Sequence, residues 1–191
     1  KSGMNAWLYD EDRWPSGFAG GFVPEKGDKC RSKGLTMEIK ERHEADGTEL
    51  AIYAARLLWK KLLSYRKLPR ADAVRNGESV LVFRLEISEG DEGYNGGAYG
   101  DNLSAESVKA FIKTTHEAYR QAVGGEFGKT VPGIFTDEPH VCGFLSKRSK
   151  LRWTPYAGFT MNPEGALMWI PWTTSFASFF RKRRGYNPLD K

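Results

Sequence analysis

The sequence predicts an α/β fold interrupted by an antiparallel β-rich insertion, and three features carry that prediction. A short apolar run ends in a cluster of acids at the start of the chain, a block of alternating residues occupies roughly 35–88, and an amphipathic helical segment is followed by a second short strand that also ends in acids. With 191 residues, 40% of them hydrophobic and 28% charged, the chain lies in the ordinary globular range and can bury a core.

Taken in order, Asn5-Ala6-Trp7-Leu8-Tyr9 reads as a strand that runs into Asp10-Glu11-Asp12 and then an irregular, glycine-rich loop as far as Gly21. The alternating block resolves into four antiparallel strands over 35–40, 49–56, 61–65 and 79–87, with turns at Asp46-Gly47 and Asn76-Gly77. The glycine-rich stretch Gly90–Gly100 then separates the block from the helix. Ser104 is placed to cap that helix, Glu106 suits the positive end of its dipole, and Val108, Phe111, Ile112, Ala118, Tyr119, Ala122 and Val123 repeat at helical spacing until Gly124-Gly125 stops it. Val131–Thr136 forms the next strand and leads directly into Asp137-Glu138-Pro139-His140. The remainder holds a basic stretch over 147–152, an aromatic region and a helix near 175–184 that ends at Gly185. The cations Arg181-Lys182-Arg183-Arg184 fit the negative end of that helix's dipole. The expected division is residues 1–24 with 94–191 as the main region and 25–93 as the insertion.

Composition narrows the function classes. The net charge of +5 is too evenly spread for a nucleic-acid tail, so no nucleic-acid partner is expected. No window of about 18 apolar residues exists, and no membrane partner is expected either. The two cysteines, Cys30 and Cys142, have no metal-ligand spacing and do not make a disulfide framework. This usage leans towards the cytoplasm, or towards a secreted or periplasmic location where an export signal has been removed. Oligomeric state is not legible.

The aromatic fraction, 13%, is more informative, because many of these rings stand beside carboxylates and glycines, the composition of a sugar-binding cleft as well as of a core. Glu138 is the candidate general acid: a carboxyl at the end of an apolar strand, followed by a proline, projects into the mouth of an α/β layer. Asp137 beside it would favour retention of its proton by like-charge repulsion. An Asp-Glu pair at a surface turn accounts for the same spacing. Asp10-Glu11-Asp12 forms a second group of acids at a strand end. It lacks the spacing of a calcium loop, so a polar substrate contact is preferred to calcium, and no cofactor is expected. His140 is a candidate for a sugar hydroxyl or for the loop backbone, while His43 and His116 look structural.

These segments also carry a resemblance. Trp7-Leu8-Tyr9-Asp10-Glu11-Asp12-Arg13-Trp14-Pro15-Ser16-Gly17-Phe18-Ala19-Gly20-Gly21 resembles the W-L-Y-D-E-x-x-W-P-S-G-x-A-G-G segment of a bacterial group of glycoside hydrolase-like proteins related to the α-L-rhamnosidases of family 106. Gly100-Asp101-Asn102-Leu103 with Phe111–Tyr119, Val131–Pro139, and Pro171-Trp172-Thr173 with Phe180–Asn187 are similar to that group's later segments, in the same order. The resemblance implies a (β/α)8 TIM-barrel domain with the Asp10 and Glu138 loops both on its C-terminal face, acting on an oligosaccharide or glycoside by carboxylate acid/base catalysis. Asp10, Glu11 and Asp101 then become candidates for substrate hydroxyls. Trp7, Tyr9 and Trp14 would wall the cleft, and Gly20-Gly21 would allow close backbone approach. Without 25–93 the chain supplies about half of the ~250 residues of a complete barrel, so the expectation is a partial barrel whose second carboxylate lies elsewhere. The alternative is a non-catalytic carbohydrate-binding or scaffold module.

Overall fold

The computed structural model describes residues 3–59, 61–69, 73–141 and 168–190; Cys142, the basic stretch over 147–152 and the aromatic region after it lie outside the described residues. The chain divides into two compact units, Lys1–Ser32 with Ile87–Leu145, and Lys33–Glu86 with Ser146–Lys191. Where the sequence grouped 94–191 with the N-terminus, the division assigns Ser146–Lys191 to the sheet-forming unit.

The second unit is built on the alternating block. Its strands are β2 (Lys33–Lys40), β3 (Glu49–Leu58), β4 (Lys61–Leu68) and β5 (Ser79–Ile87), joined by β7 (Met168–Trp172) into one five-stranded antiparallel sheet in the order β4-β3-β5-β2-β7. β3 lies between β4 and β5 and is antiparallel to both. Side chains alternate across a strand, so β3 feeds two cores. Ile52 and Ala54 pack with Leu68, Val80 and Val82 on one face, and Ala51, Tyr53 and Ala55 pack with Leu81 on the other. Gly47 and Gly77, with φ of +81° and +77°, sit in the two turns that the sequence placed there. Arg84 is buried and is neutralised by Glu38, Asp46 and Glu49 at 3.5, 2.9 and 3.1 Å. After β7, helix α3 (Phe176–Arg184) ends at Gly185 (φ +81°), as its terminal glycine requires.

The first unit holds β1 (Leu8–Tyr9), β6 (Ile134–Phe135) and one long helical segment, α1 (Ala105–Phe111) and α2 (Glu117–Val123) joined by a π-helical turn over Ile112–His116. Ser104 caps α1 by accepting from Ser107 N at 3.5 Å. The helix packs through Ala110 and Phe111 on Val23 and Cys30, and a second cluster joins Phe18, Tyr94 and Tyr99. Gly17 shows why that cluster needs a glycine: its φ is +132°, and a Cβ there would stand 2.8 Å from the Tyr99 hydroxyl oxygen.

The partial TIM barrel does not form. A barrel requires strands paired in parallel around a closed ring, each followed by a helix. Among the described residues the only parallel pairing in named strands is the two-residue pair β1–β6, and the fold is mostly β. β7, in the part of the chain expected to continue the barrel, pairs antiparallel with β2, Lys33 opposite Trp172 and Met37 opposite Met168.

Candidate active site at the ends of a parallel strand pair

β1 and β6 lie in parallel with Leu8 opposite Ile134 and Tyr9 opposite Phe135, and Asp10 N donates to Phe135 O at 3.3 Å to close the pair. Parallel pairing sends both acid-bearing continuations, Asp10-Glu11-Asp12 and Thr136-Asp137-Glu138, out of the same end. The two-residue period then sorts their side chains. Asp10 and Thr136 share one face, Tyr9, Glu11, Phe135 and Asp137 the other.

On the first face the Asp10 carboxylate is fully shielded from solvent. It accepts hydrogen bonds from Ser16 Oγ at 2.6 Å, His116 Nε2 at 2.8 Å and Thr136 Oγ1 at 2.8 Å. A carboxylate can only accept, so His116 carries its hydrogen on Nε2. Ser16 extends the network to the neighbouring strand end: its backbone N–H donates to Asp137 O and its Oγ accepts from Asp137 N, both at 2.9 Å. Asp10 therefore fixes the backbone from which Asp137 projects. His116 reaches it from the π-helical turn, a local widening of the helix that recurs at functional sites.

On the second face the Tyr9 hydroxyl faces two carboxylates, Glu11 Oε2, with which it makes a very short contact, and Asp137 Oδ2 at 2.7 Å. The phenol has one proton for two acceptors. These two hydrogen bonds, Glu11's first and Asp137's second, drive the Tyr9 pKa well above the usual tyrosine range. Sharing one phenolic oxygen brings these two carboxylate oxygens within roughly 5 Å of each other. The Tyr9 ring rests against Phe135, centroids 5.4 Å apart, and its backbone carbonyl accepts from the Tyr119 hydroxyl at 2.8 Å. Beside the trio an open groove of about 510 Å³ runs between Tyr9, Glu11 and Asp12 on one wall and Thr114, Thr115, Ala118 and Tyr119 of the helical segment on the other, with Gly20 and Phe22 completing it.

The other expected site residues are spread differently. Glu138 is exposed rather than partly buried, on a backbone with φ of +41°, a left-handed conformation that non-glycine residues rarely adopt and that clusters at functional sites. Asp101 is buried and accepts from Leu103 N at 3.1 Å, so it shapes the entry to α1 and does not line the groove. His140 is half-buried between Tyr99 and Trp14, ring centroids 5.1 and 5.8 Å away, and burial lowers its pKa. Trp14 is thereby a packing partner of that ring. Trp7 is largely exposed and lies over Gly133, where a Cβ would meet its ring at 2.7 Å. Gly20 (φ +62°) lines the groove, as a close backbone approach requires. His116, Ser16 and Thr136 were missed as site residues because nothing in their local spacing marks them.

The three acids of the first loop do not converge on a common point: Asp10 is taken up by its three donors, Glu11 faces Tyr9, and Asp12 accepts from Asn95 Nδ2 at 2.7 Å. Among the described residues no group of three or more His, Cys, Asp and Glu side chains is arranged to hold a metal ion, and no helix is long and apolar enough to cross a membrane. Comparison with protein-family models, with curated proteins and with solved structures returns no match to this chain.

Proposed function

We propose that the chain cleaves a glycosidic bond, with Glu11 and Asp137 as the working carboxylate pair. The observation that carries this reading is the convergence of these two side chains on the Tyr9 hydroxyl at the edge of an aromatic-bearing groove. A separation of about 5 Å is the spacing used by glycosidases that retain anomeric configuration, where one carboxylate attacks and the other handles the proton. Asp137 suits the attacking role because its backbone N–H and C=O are both tied to Ser16, which fixes its direction of approach. Glu11, carried on the loop and half-exposed, suits the proton-transfer role. In the first step Asp137 would bond to the anomeric carbon as that carbon's bond to the departing oxygen breaks, and Glu11, entering the cycle protonated, would give that oxygen its proton. In the second, Glu11 would take a proton from water as that water displaces Asp137. Tyr9 holds the two acids in register, and Phe22 and Tyr119 of the groove offer ring faces to the C–H surface of a sugar.

The test is hydrolysis of a panel of aryl glycosides, α-L-rhamnoside included, by the unmodified chain and by Glu11→Gln, Asp137→Asn and Glu138→Gln. The expected result is at least a ~100-fold loss of turnover in the first two with sugar binding retained, and a loss of less than ~10-fold in the third. A dominant loss in Glu138→Gln overturns the pairing assigned here. Sugar binding without cleavage of any glycoside makes the chain a carbohydrate-binding module, and absence of both ends the carbohydrate reading.

A further inference from the structure

Among the described residues the most exposed large apolar side chain, Trp59, lies on the β3–β4 hairpin, on which the proposed hydrolysis makes no demand. Trp59 at its turn is 93% exposed, and Leu58, Leu62, Leu63 and Tyr65 are each about half exposed. β4 is the edge strand of its sheet. Leu57 faces Leu62 across the hairpin and Leu58 faces Lys61, while a β-bulge between these pairs and the Arg56–Ser64 pair leaves Leu63 without a partner in the ladder. Leu57 packs on the core around Tyr53, whereas Leu58, Trp59, Leu62 and Leu63 beyond it remain exposed. Trp59 also has φ of +57°, a conformation that suits asparagine or glycine better than a bulky ring, so the side chain and not the turn accounts for a tryptophan there.

The charge around this tip has one sign. From Leu50 to Arg70 the sequence has six basic residues (Arg56, Lys60, Lys61, Arg66, Lys67, Arg70) and no Asp or Glu. Arg66 and Lys67 already face Glu78 and Asp190, whereas Arg56 and Lys61 are exposed beside the apolar tip. An apolar tip with tryptophan at its apex and cations behind it matches the physical profile of an anionic membrane surface: the ring and leucines enter the headgroup boundary and the cations meet the lipid charges. A second copy of the chain would bring like charges together. A nucleic acid would give the exposed leucines nothing to bury against. We infer that the β3–β4 hairpin docks this protein on an anionic lipid surface through Leu58, Trp59, Leu62 and Leu63, with Arg56 and Lys61 supplying the charge.

Co-sedimentation with phosphatidylcholine–phosphatidylserine vesicles, against pure phosphatidylcholine, tests the assignment. The expected result is binding to the mixed vesicles that weakens as salt is raised, and a loss of at least ~10-fold in partitioning for Trp59→Asn with Leu63→Ser and for Lys61→Glu. Asn accepts the left-handed turn and both positions are exposed, so melting temperature should stay put; Arg183→Glu on α3 serves as a control for non-specific basic attraction. No binding to mixed vesicles, equal binding to both vesicle types, or a loss confined to Arg183→Glu overturns the inference. So does preferential binding of single-stranded DNA, or dimerisation abolished by Trp59→Asn without vesicle binding.

Discussion

Removing the Asp10 carboxylate with Asp10→Ala should cost the first unit more stability than any other single change at the site. The carboxylate is fully shielded and accepts three side-chain hydrogen bonds at 2.6, 2.8 and 2.8 Å. Hydrogen bonds to a charged group contribute about 1.5–3 kcal/mol each but do not add, since the three donors share one acceptor group and relax together. Truncating one partner of a buried charged network typically costs about 3–5 kcal/mol, and roughly 4 kcal/mol is the expectation here. That is a large part of the ~5–15 kcal/mol that separates folded from unfolded chains. For a chain of this length it corresponds to a fall in melting temperature on the order of 10 °C.

Two companion variants turn this loss into a test of the network. Thr136→Val deletes one neutral donor and should cost about 1 kcal/mol. Asp10→Asn keeps the volume and one acceptor oxygen, places an NH₂ where Ser16 can turn its hydroxyl to accept, and should fall between the two. The assay is urea unfolding followed by near-ultraviolet circular dichroism, which reports the aromatic environment of this unit. A loss below about 1 kcal/mol for Asp10→Ala, or an Asp10→Asn loss equal to that of Asp10→Ala, would refute the idea that this carboxylate organises the strand ends.

Three further outcomes follow from the same structure. Gly17→Ala puts a Cβ 2.8 Å from the Tyr99 hydroxyl oxygen on a backbone with φ of +132°, and should destabilise by about 2–4 kcal/mol in the same unfolding assay; a change within ~0.5 kcal/mol would contradict the packing described. The Tyr9 and Tyr99 pKa values are raised, Tyr9 by its two carboxylate partners and Tyr99 by burial, so neither ionises near the ordinary tyrosine pKa of about 10. Tyr9→Phe and Tyr99→Phe should therefore leave the phenolate absorbance step near pH 10 at full amplitude, and a step reduced by one tyrosine's share would show that the replaced residue titrates normally. For Glu49, burial acts to raise the pKa, but hydrogen bonds from backbone N–H groups and from His43 outweigh it. The pKa of Glu78 is lowered by Arg66 and by Arg75 N–H. Groups depressed in the folded state stabilise it fully above the ordinary carboxylate range of about 4 and lose that contribution as pH falls through their folded values. Melting temperature should therefore drop below about pH 4, less steeply in Glu49→Gln; a parallel profile would remove Glu49 from the account.

Much of the local structure was legible because it depends on neighbours in sequence. The period-two apolar pattern marked β2, β3 and β5, each with at least one face buried, and the capping serine and paired glycines bounded the helical segment; β4 was marked too, though only its Leu68 is buried. The assembly was not legible in the same way. Short apolar strands such as Leu8–Tyr9 and Met168–Trp172 carry no signal of partner or direction, and pairing is decided by contacts across the chain, so β7 joined an antiparallel sheet where an α/β layer was expected. Motifs that resemble a barrel family specify strand ends, loops and a helix. They do not supply the further parallel strands that ring closure demands.

Strand register separates acids that look alike in the sequence. Asp10, Glu11 and Asp12 look interchangeable as a cluster, and the sequence treated Asp10 and Glu11 alike as candidates for sugar hydroxyls. Once the strand direction is carried one residue past Tyr9, alternation alone sends Asp10 to the face opposite Tyr9 and Glu11 to the same face. The parallel register, Tyr9 opposite Phe135, then does the same for Thr136 and Asp137. The buried Asp10 carboxylate is tied to Thr136 and holds the strand end, while Glu11 and Asp137 meet at the Tyr9 hydroxyl, where the proposed chemistry would lie. Burial decides the role of each acid: Asp10 has three donors and no access to solvent, so it can hold a strand end but cannot reach a substrate, whereas Glu11 and Asp137 share a single phenolic proton and keep capacity to spare. A carboxylate pair built in this way needs only two parallel strands and a tyrosine, not a closed barrel.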